Sequence, residues 1–208
     1  MPIQLDVWSD YVCPYCFAAS LSVAALQTSH DVVLRWHAYE LRPAGAPPMP
    51  PEYRARIEQS QPRVRQMFRD QHGVEVQFGP LGTSSRDAHV ATKWVEAQSA
   101  EAGLRFHDRV FRAYWVEGQD LSDRAVLAAC ATAVDLDGAA LETLLADPAQ
   151  RAPYEAEADT DIEQAYTMNL SGVPALIFEE RYLVPGAVPT ETLRRIVDQI
   201  EAGEVAAR

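Results

Sequence analysis

Two cysteines spaced by two residues, Cys13-Pro14-Tyr15-Cys16, stand between an alternating apolar run, Ile3-Gln4-Leu5-Asp6-Val7-Trp8, and a helix-favouring stretch from Phe17 to Leu26. That order predicts a strand, a two-cysteine turn and a helix. A helix N-terminus carries unpaired backbone N–H groups and the positive end of the macrodipole, so a cysteine placed there is stabilised as the thiolate, the form that attacks disulfides. Cys13 is therefore the candidate nucleophile. Cys16, one turn further in and covered by the helix, is near enough to form a disulfide with Cys13 or to resolve a mixed disulfide by attacking it. Pro14 suits the first helical turn, where its missing N–H is no loss. The same thiols could instead be half of a zinc site or two inert core residues. Zinc usually takes four ligands, and no second Cys-x-x-Cys or paired-histidine segment supplies the others, so no metal is expected. The context favours redox chemistry, with the Cys13–Cys16 pair as the redox group and no separate cofactor.

The elements that would position this pair begin with the first strand and helix. Val32 to Tyr39 then reads as a second strand, β-branched and aromatic, and strand, helix, strand implies a parallel pair with a right-handed crossover. Ala44 to Pro51 breaks regular structure, and the chain beyond it turns helical. Glu52 to about Gln71 is charged and helical, with Pro62 expected to mark a break or a fresh helix start within it. Ser84 or Ser85 can cap a helix running to about Ala102, stopped by Gly103, and Leu104 to about Val116 forms another. Ser122 is expected to cap Asp123 to Val134, Asp137 to open a short helix ending near Ala146, and a long helix to run from Pro153 to Met168. Strand signal returns at Ala175-Leu176-Ile177-Phe178 and Tyr182-Leu183-Val184, a hairpin about Glu179-Glu180-Arg181, and Thr190 to about Ala202 closes the chain as a helix. Strands at both ends and helices between them suggest one sheet divided by a helical insertion.

Bulk composition bounds the partners. At 208 residues the chain can bury a proper core. A formal net charge of -12, with Lys93 the one lysine, argues against a phosphate-binding surface for nucleic acid and against an anionic membrane. Three cysteines are too few for a disulfide scaffold. The third, Cys130, falls in line with Val126 and Val134 on one helical stripe, which reads as buried core. Met1-Pro2-Ile3 enters the first strand with no basic and apolar leader ahead of it, so the mature protein is expected to start near residue 1. No run approaches the ~20 apolar residues of a membrane helix. The expected compartment is the cytoplasm, where an exposed thiol pair is more plausibly catalytic than structural.

A second constellation, Ser171-Gly172-Val173-Pro174-Ala175, stands directly before the third strand, where proline is tolerated only at the start. A cis Val173–Pro174 bond would account for it, although only about 5% of X–Pro bonds are cis and the residues alone favour a trans turn.

Together the two constellations carry a resemblance. The chain resembles the thioredoxin superfamily, specifically its DsbA-like branch with a helical insertion, and within that the FrnE-like proteins. The carriers are Trp8 to Cys16, Asp87-Ala88-His89, Gly172-Val173-Pro174-Ala175 and Gly186-Ala187, and the likeness covers nearly the whole chain. It implies an α/β, thioredoxin-like fold of residues 1–43 and 169–208, interrupted by an α-helical insertion domain over 44–168. It also implies a cis bond at Pro174, a loop lying across from Cys13, and a Val173 main chain open to an extended peptide, so that Pro14, Tyr15, Val173 and Pro174 are the expected substrate contacts. Two departures stand out. Tyr15 replaces the Trp or His frequent in relatives, and Ser84-Ser85-Arg86 replaces the Asn-Thr pair common ahead of Asp-Ala-His. His89, on a helix with Val90, Trp94 and Val95, reads as a structural histidine.

The function expected is thiol–disulfide exchange on protein or peptide thiols and disulfides, with glutathione a further candidate partner. Two alternatives share the fold. One is a glutathione-dependent isomerase or transferase of the kappa or 2-hydroxychromene-2-carboxylate isomerase type, whose members generally lack the intact pair. The other is a peptide-binding chaperone that keeps its cysteines as a redox switch.

Overall fold

The computed structural model describes residues 2–43 and 45–204. The chain divides into two compact units, Met1–Tyr39 with Asp161–Arg208, and Glu40–Thr160. The first unit opens with β1 (Ile3–Ser9), α1 (Pro14–Gln27) and β2 (Val32–Ala38). As the strand–helix–strand reading requires, β1 and β2 pair in parallel, Ile3 opposite Val32 and Ser9 opposite Ala38.

The second unit holds α2 (Pro51–His72), α3 (Arg86–Gln98), α4 (Ala100–Trp115), α5 (Arg124–Thr132), α6 (Gly138–Ala146) and most of α7 (Pro148–Thr167), with no strand among its described residues. Several helix limits differ from those expected, each for a physical reason. Pro62 lies inside α2 without ending it, because the carbonyl it leaves unpaired, on Glu58, is on a solvent-exposed stretch where water can satisfy it. Pro153 likewise sits inside α7, which begins five residues earlier than the proline suggested. Gly103 does not stop a helix. The break comes at Ser99, which is extended and caps α4 by accepting the Ala102 N–H at 3.2 Å. Gly103 is instead where α4 meets α3, since a Cβ there would stand 2.6 Å from Cγ of Glu96. At α5 the cap is Asp123, which accepts the Ala125 N–H, while the Ser122 hydroxyl donates to Asp120.

The chain then returns as β3 (Ala175–Phe178), β4 (Tyr182–Pro185) and α8 (Thr190–Glu201). The sheet order is β2-β1-β3-β4, with β3 antiparallel to both neighbours. The hairpin turns through Glu179 and Glu180, both at positive φ (51° and 55°), the twist that suits a tight antiparallel connection.

The alternation of β1 sorts its side chains onto two faces. Ile3, Leu5 and Val7 join Val23 and Leu26 of α1, Leu176 and Phe178 of β3, and Leu193 and Val197 of α8 in the larger core. Fully burying a side chain of this size contributes about 1.5–3 kcal/mol. The opposite face carries Trp8, Ala165, Leu170, Ala175 and Ile177, and with them a polar cluster. His37 of β2 lies between two carboxylates, Nε2 at 2.7 Å from Asp6 Oδ1 and Nδ1 at 2.8 Å from Asp161 Oδ1. Arg35 grips Asp6 with two N–H groups at 2.9 and 3.0 Å, and the second Asp161 oxygen accepts the Ala38 N–H at 2.9 Å. Trp8 stacks on the His37 ring at 4.2 Å and donates its indole N–H to the Asp161 carbonyl. Burial opposes charge on His37, yet the two carboxylates hold its pKa above the ordinary value. Paired in this way, Asp6 remains charged although nearly out of solvent. The cluster ties the last turns of α7 to the sheet.

Candidate active site

β1 ends at Ser9, and the chain turns at once. The Cys13 N–H donates to the Asp10 carbonyl at 3.1 Å and the Val12 N–H to Asp10 Oδ1 at 3.2 Å, a local side-chain turn of the kind aspartate favours. Cys13 is the N-cap of α1, extended at φ -97° and ψ 119°, with Pro14 as the first helical residue. The N–H groups of Cys16 and Phe17 both point back to the Cys13 carbonyl, at 3.1 and 3.2 Å. The expected strand, turn and helix are therefore present, with Cys13 on the helix end and Cys16 one turn inside it.

Both thiols are free and the two sulfurs are hydrogen-bond neighbours. The Cys16 thiol donates to the Cys13 sulfur and, with backbone N–H groups of Cys16 and Tyr15, brings the Cys13 pKa below that of an ordinary cysteine, against the opposing effects of burial and of the Asp10 carboxylate. Cys16 moves the other way: burial first, then the neighbouring Cys13, push its pKa well above the ordinary value, although it accepts the Asp10 N–H at 3.4 Å. One sulfur is thus poised to carry charge and the other to hold the proton.

Solvent access divides the pair less sharply than expected from a helix end. Cys13 is only 4% exposed and Cys16 fully buried. Part of the cover is the loop before β3. The Val173–Pro174 peptide bond is cis, and the Cys13 thiol donates to the Val173 carbonyl at 3.8 Å. The two constellations picked out in the sequence are therefore in contact. Gly186, at φ +79° where a side chain would be strained, donates its N–H to the Pro174 carbonyl at 2.8 Å and so holds the loop from behind. Around the pair, Tyr15 is 51% exposed, Pro14 and Val173 are half-buried and Pro174 is buried.

The other candidates belong to the second unit. Cys130 is fully buried on α5, donating weakly to the Arg109 carbonyl at 4.0 Å, with its pKa pushed up to about 11 by burial. Asp87 pairs with Arg124 and Arg151, and the neighbouring Arg86 with Glu40, Glu155 and Asp159, which marks the start of α3 as a set of ion pairs within the second unit. His89 is buried on α3. The residues that sequence reasoning missed lie just upstream of the motif. Ser9 and Asp10 are buried, and Asp10 reaches Cys16 through its backbone; the Asp-x-x-Cys spacing was a readable turn signal, whereas Ser9 had none.

Comparison with known proteins places this geometry. A family model described as a DSBA-like thioredoxin domain matches residues 4–198. The uncharacterized protein YwbO of Bacillus subtilis (strain 168) is 25% identical over 198 residues, covering 95% of this chain and 96% of that protein. Among solved structures, a probable DsbA oxidoreductase from Streptomyces coelicolor superposes with a TM-score of 0.82 at 19% identity, over 99% of this chain and 93% of its own. A 2-hydroxychromene-2-carboxylate isomerase superposes with a TM-score of 0.72 at 16% identity, over 98% of this chain and 100% of its own. One backbone thus serves an oxidoreductase and an isomerase, so the fold leaves the chemistry to the site.

Proposed function

We propose that this protein is a thiol–disulfide oxidoreductase: the chain belongs to the DSBA-like thioredoxin domain family, and its first helix begins on an intact Cys-Pro-Tyr-Cys pair. The observation that carries the reading is geometric: Cys13 caps the N-terminus of α1 with Cys16 one turn inside it, and the loop of the cis Val173–Pro174 bond lies against the Cys13 sulfur. In the reducing direction, the Cys13 thiolate attacks one sulfur of a substrate disulfide, and the other substrate sulfur leaves as a thiolate and takes a proton. Cys16 then loses its proton and attacks Cys13 Sγ. The Cys13–Cys16 bond forms, the mixed disulfide breaks, and two electrons have passed to the substrate. In the oxidising direction a substrate dithiol runs the same steps backwards and the protein pair gains the electrons.

Protein or peptide disulfides are the proposed substrates. Val173 stands beside Cys13 in the loop just ahead of β3, where an extended chain could pair with its main chain, and the exposed Tyr15 with Pro14 offers an apolar flank. The finer assignment proposed is the FrnE-like type, working in the cytoplasm and exchanging electrons with glutathione or another small thiol. Direction depends on potential. Related dithiol pairs span about -270 to -120 mV, and about 30 mV corresponds to about 1.4 kcal/mol. The isomerase alternative would not need a redox-competent pair, and the chaperone alternative would not turn over.

The test is equilibration of the protein against glutathione buffers of set ratio, together with turnover of a disulfide-linked peptide. A single two-electron transition involving Cys13 and Cys16, with catalysed exchange, supports the reading. A pair that fails to cycle, or cycles without accelerating exchange, overturns it.

A further inference from the structure

The Ser9 hydroxyl is the one side-chain oxygen, among the described residues, that is buried and has no hydrogen-bond partner. Such groups are uncommon and ask for an explanation. Ser9 is 2% exposed, so water does not satisfy it. Its main chain is held without the side chain: it is the last paired residue of β1, opposite Ala38, and its carbonyl accepts the Tyr39 N–H at 3.0 Å. By contrast the buried Ser20 hydroxyl bonds back to the Phe17 carbonyl at 2.8 Å, as a serine with only a packing role usually does. Alanine would fill the Ser9 site with no orphaned oxygen.

What it faces is the Cys16 sulfur, near enough to favour negative charge there. The following residue, Asp10, already gives its N–H to Cys16 Sγ at 3.4 Å, so the end of β1 delivers one donor to that sulfur from the main chain and sets a hydroxyl beside it. We infer that the Ser9 hydroxyl is held in reserve for the Cys16 thiolate, an anion that exists only during the resolving step. In the resting dithiol Cys16 is neutral and shares its proton with the Cys13 sulfur, so a further donor adds little. Once Cys13 is tied up in a mixed disulfide, its charge is gone and Cys16 must lose its proton inside a fully buried site. The Ser9 O–H and the Asp10 N–H are then the two groups that meet the new negative charge. The thiolate attacks Cys13 Sγ, the bond from Cys13 to the substrate breaks, the substrate sulfur departs as a thiolate, and the proton given up by Cys16 reaches it through solvent. As Cys16 becomes neutral in the new disulfide, Ser9 is again without a partner.

This inference rests on the proposed exchange chemistry, and rapid mixing of the reduced protein with a fluorescent disulfide peptide separates the two. Two phases are expected in the parent, attack by Cys13 and then release by Cys16, and only the first in Cys16→Ser. In Ser9→Ala the first phase should keep its rate while the second slows about ten-fold at neutral pH, the size expected for loss of one hydrogen bond to a charged group. The pH midpoint of the second phase should move up by about one unit. Ser9→Thr, which keeps the hydroxyl, should restore both. A parent with no first phase would defeat the exchange reading itself. With a normal parent, a second phase unchanged in Ser9→Ala, equal slowing of both phases, or a Thr variant as slow as Ala would overturn the role of Ser9 alone.

Discussion

Cys13 and Cys130 are chemically the same residue in two opposite settings. Both are almost out of solvent, at 4% and 0% exposure, so burial does not separate them. Cys13 ends an extended segment at the start of α1, where backbone N–H groups have no helical partner and a second thiol donates to its sulfur. Cys130 sits in the last turn of α5 in the other unit, where the N–H groups are already bonded to carbonyls and the thiol itself reaches only a carbonyl, that of Arg109. The Arg109 guanidinium is taken up by Glu117 through two hydrogen bonds at 2.8 and 2.9 Å. One thiol is drawn toward charge and the other pushed away from it, to about 11. Free donors, rather than access to water, set the two thiols apart.

The largest effect that could break this contrast comes from deleting the sulfurs. Cys13→Ser should reduce peptide disulfide exchange to the uncatalysed rate, whereas Cys130→Ala should leave the rate at that of the parent. Comparable losses in two folded variants would mean that Cys130 takes part in the chemistry. Cys16→Ser should also end turnover, but by a different route, accumulating a covalent adduct through Cys13 that non-reducing mass spectrometry detects. An adduct of equal yield on Cys16 in the Cys13→Ser variant would show that the two roles are interchangeable.

Smaller in effect, and sharper in what it distinguishes, is pH. With Cys13 depressed, its alkylation by iodoacetamide should reach half-maximal rate below the ~8.5 of free cysteine, and exchange in the reducing direction should fall as pH drops through that midpoint. Site-resolved peptide mapping should find Cys130 unlabelled until the protein unfolds. A Cys13 midpoint at or above that of free cysteine would remove the basis of the contrast. The smallest effect expected is on stability. A group whose folded pKa is raised, like Cys130, gives stability that is complete below the unfolded value near ~8.5 and is lost as pH climbs toward about 11. Cys130→Ala, at a cost of about 1 kcal/mol near neutral pH, should therefore lose less stability than the parent between pH ~8.5 and ~10.5 in urea titrations. Parallel losses in the two proteins would place the alkaline transition elsewhere.

How much of this was legible in the sequence depended on how local each signal was. The first strand, the cysteine turn, the helix after it and the closing hairpin follow from periodicity and turn chemistry within a few residues, and they stand where the residues put them. Helix limits in the second unit were harder, because Pro62, Pro153 and Gly103 act through the exposure or close packing of their surroundings, which a local pattern does not carry. The site divides in the same way. Cys13 on the helix end was readable from order alone. Its deep cover by Val173 was not, since that carbonyl arrives from the far end of the chain. Asp6 and His37 offered no hint of an ion cluster because their partner, Asp161, comes from another distant segment. Ser9 was invisible because a serine ending a strand is ordinary until its hydroxyl is found without a bond.

The strand order β2-β1-β3-β4 also bears on how a ribosome makes this protein. β1 finds β2 within the first forty residues, but its other edge waits for β3, whose Phe178 pairs with Leu5 only after nearly the whole chain has been synthesised. Until then an apolar strand has one open edge, the situation in which unpaired strands recruit one another. A helical unit that can fold on local contacts fills the interval and brings its two ends within reach, lessening the entropy of closing so long a loop. Cys13 is among the first residues to emerge and the Val173 carbonyl that covers it among the last, so a nascent chain carries Cys13 without that cover for most of its synthesis.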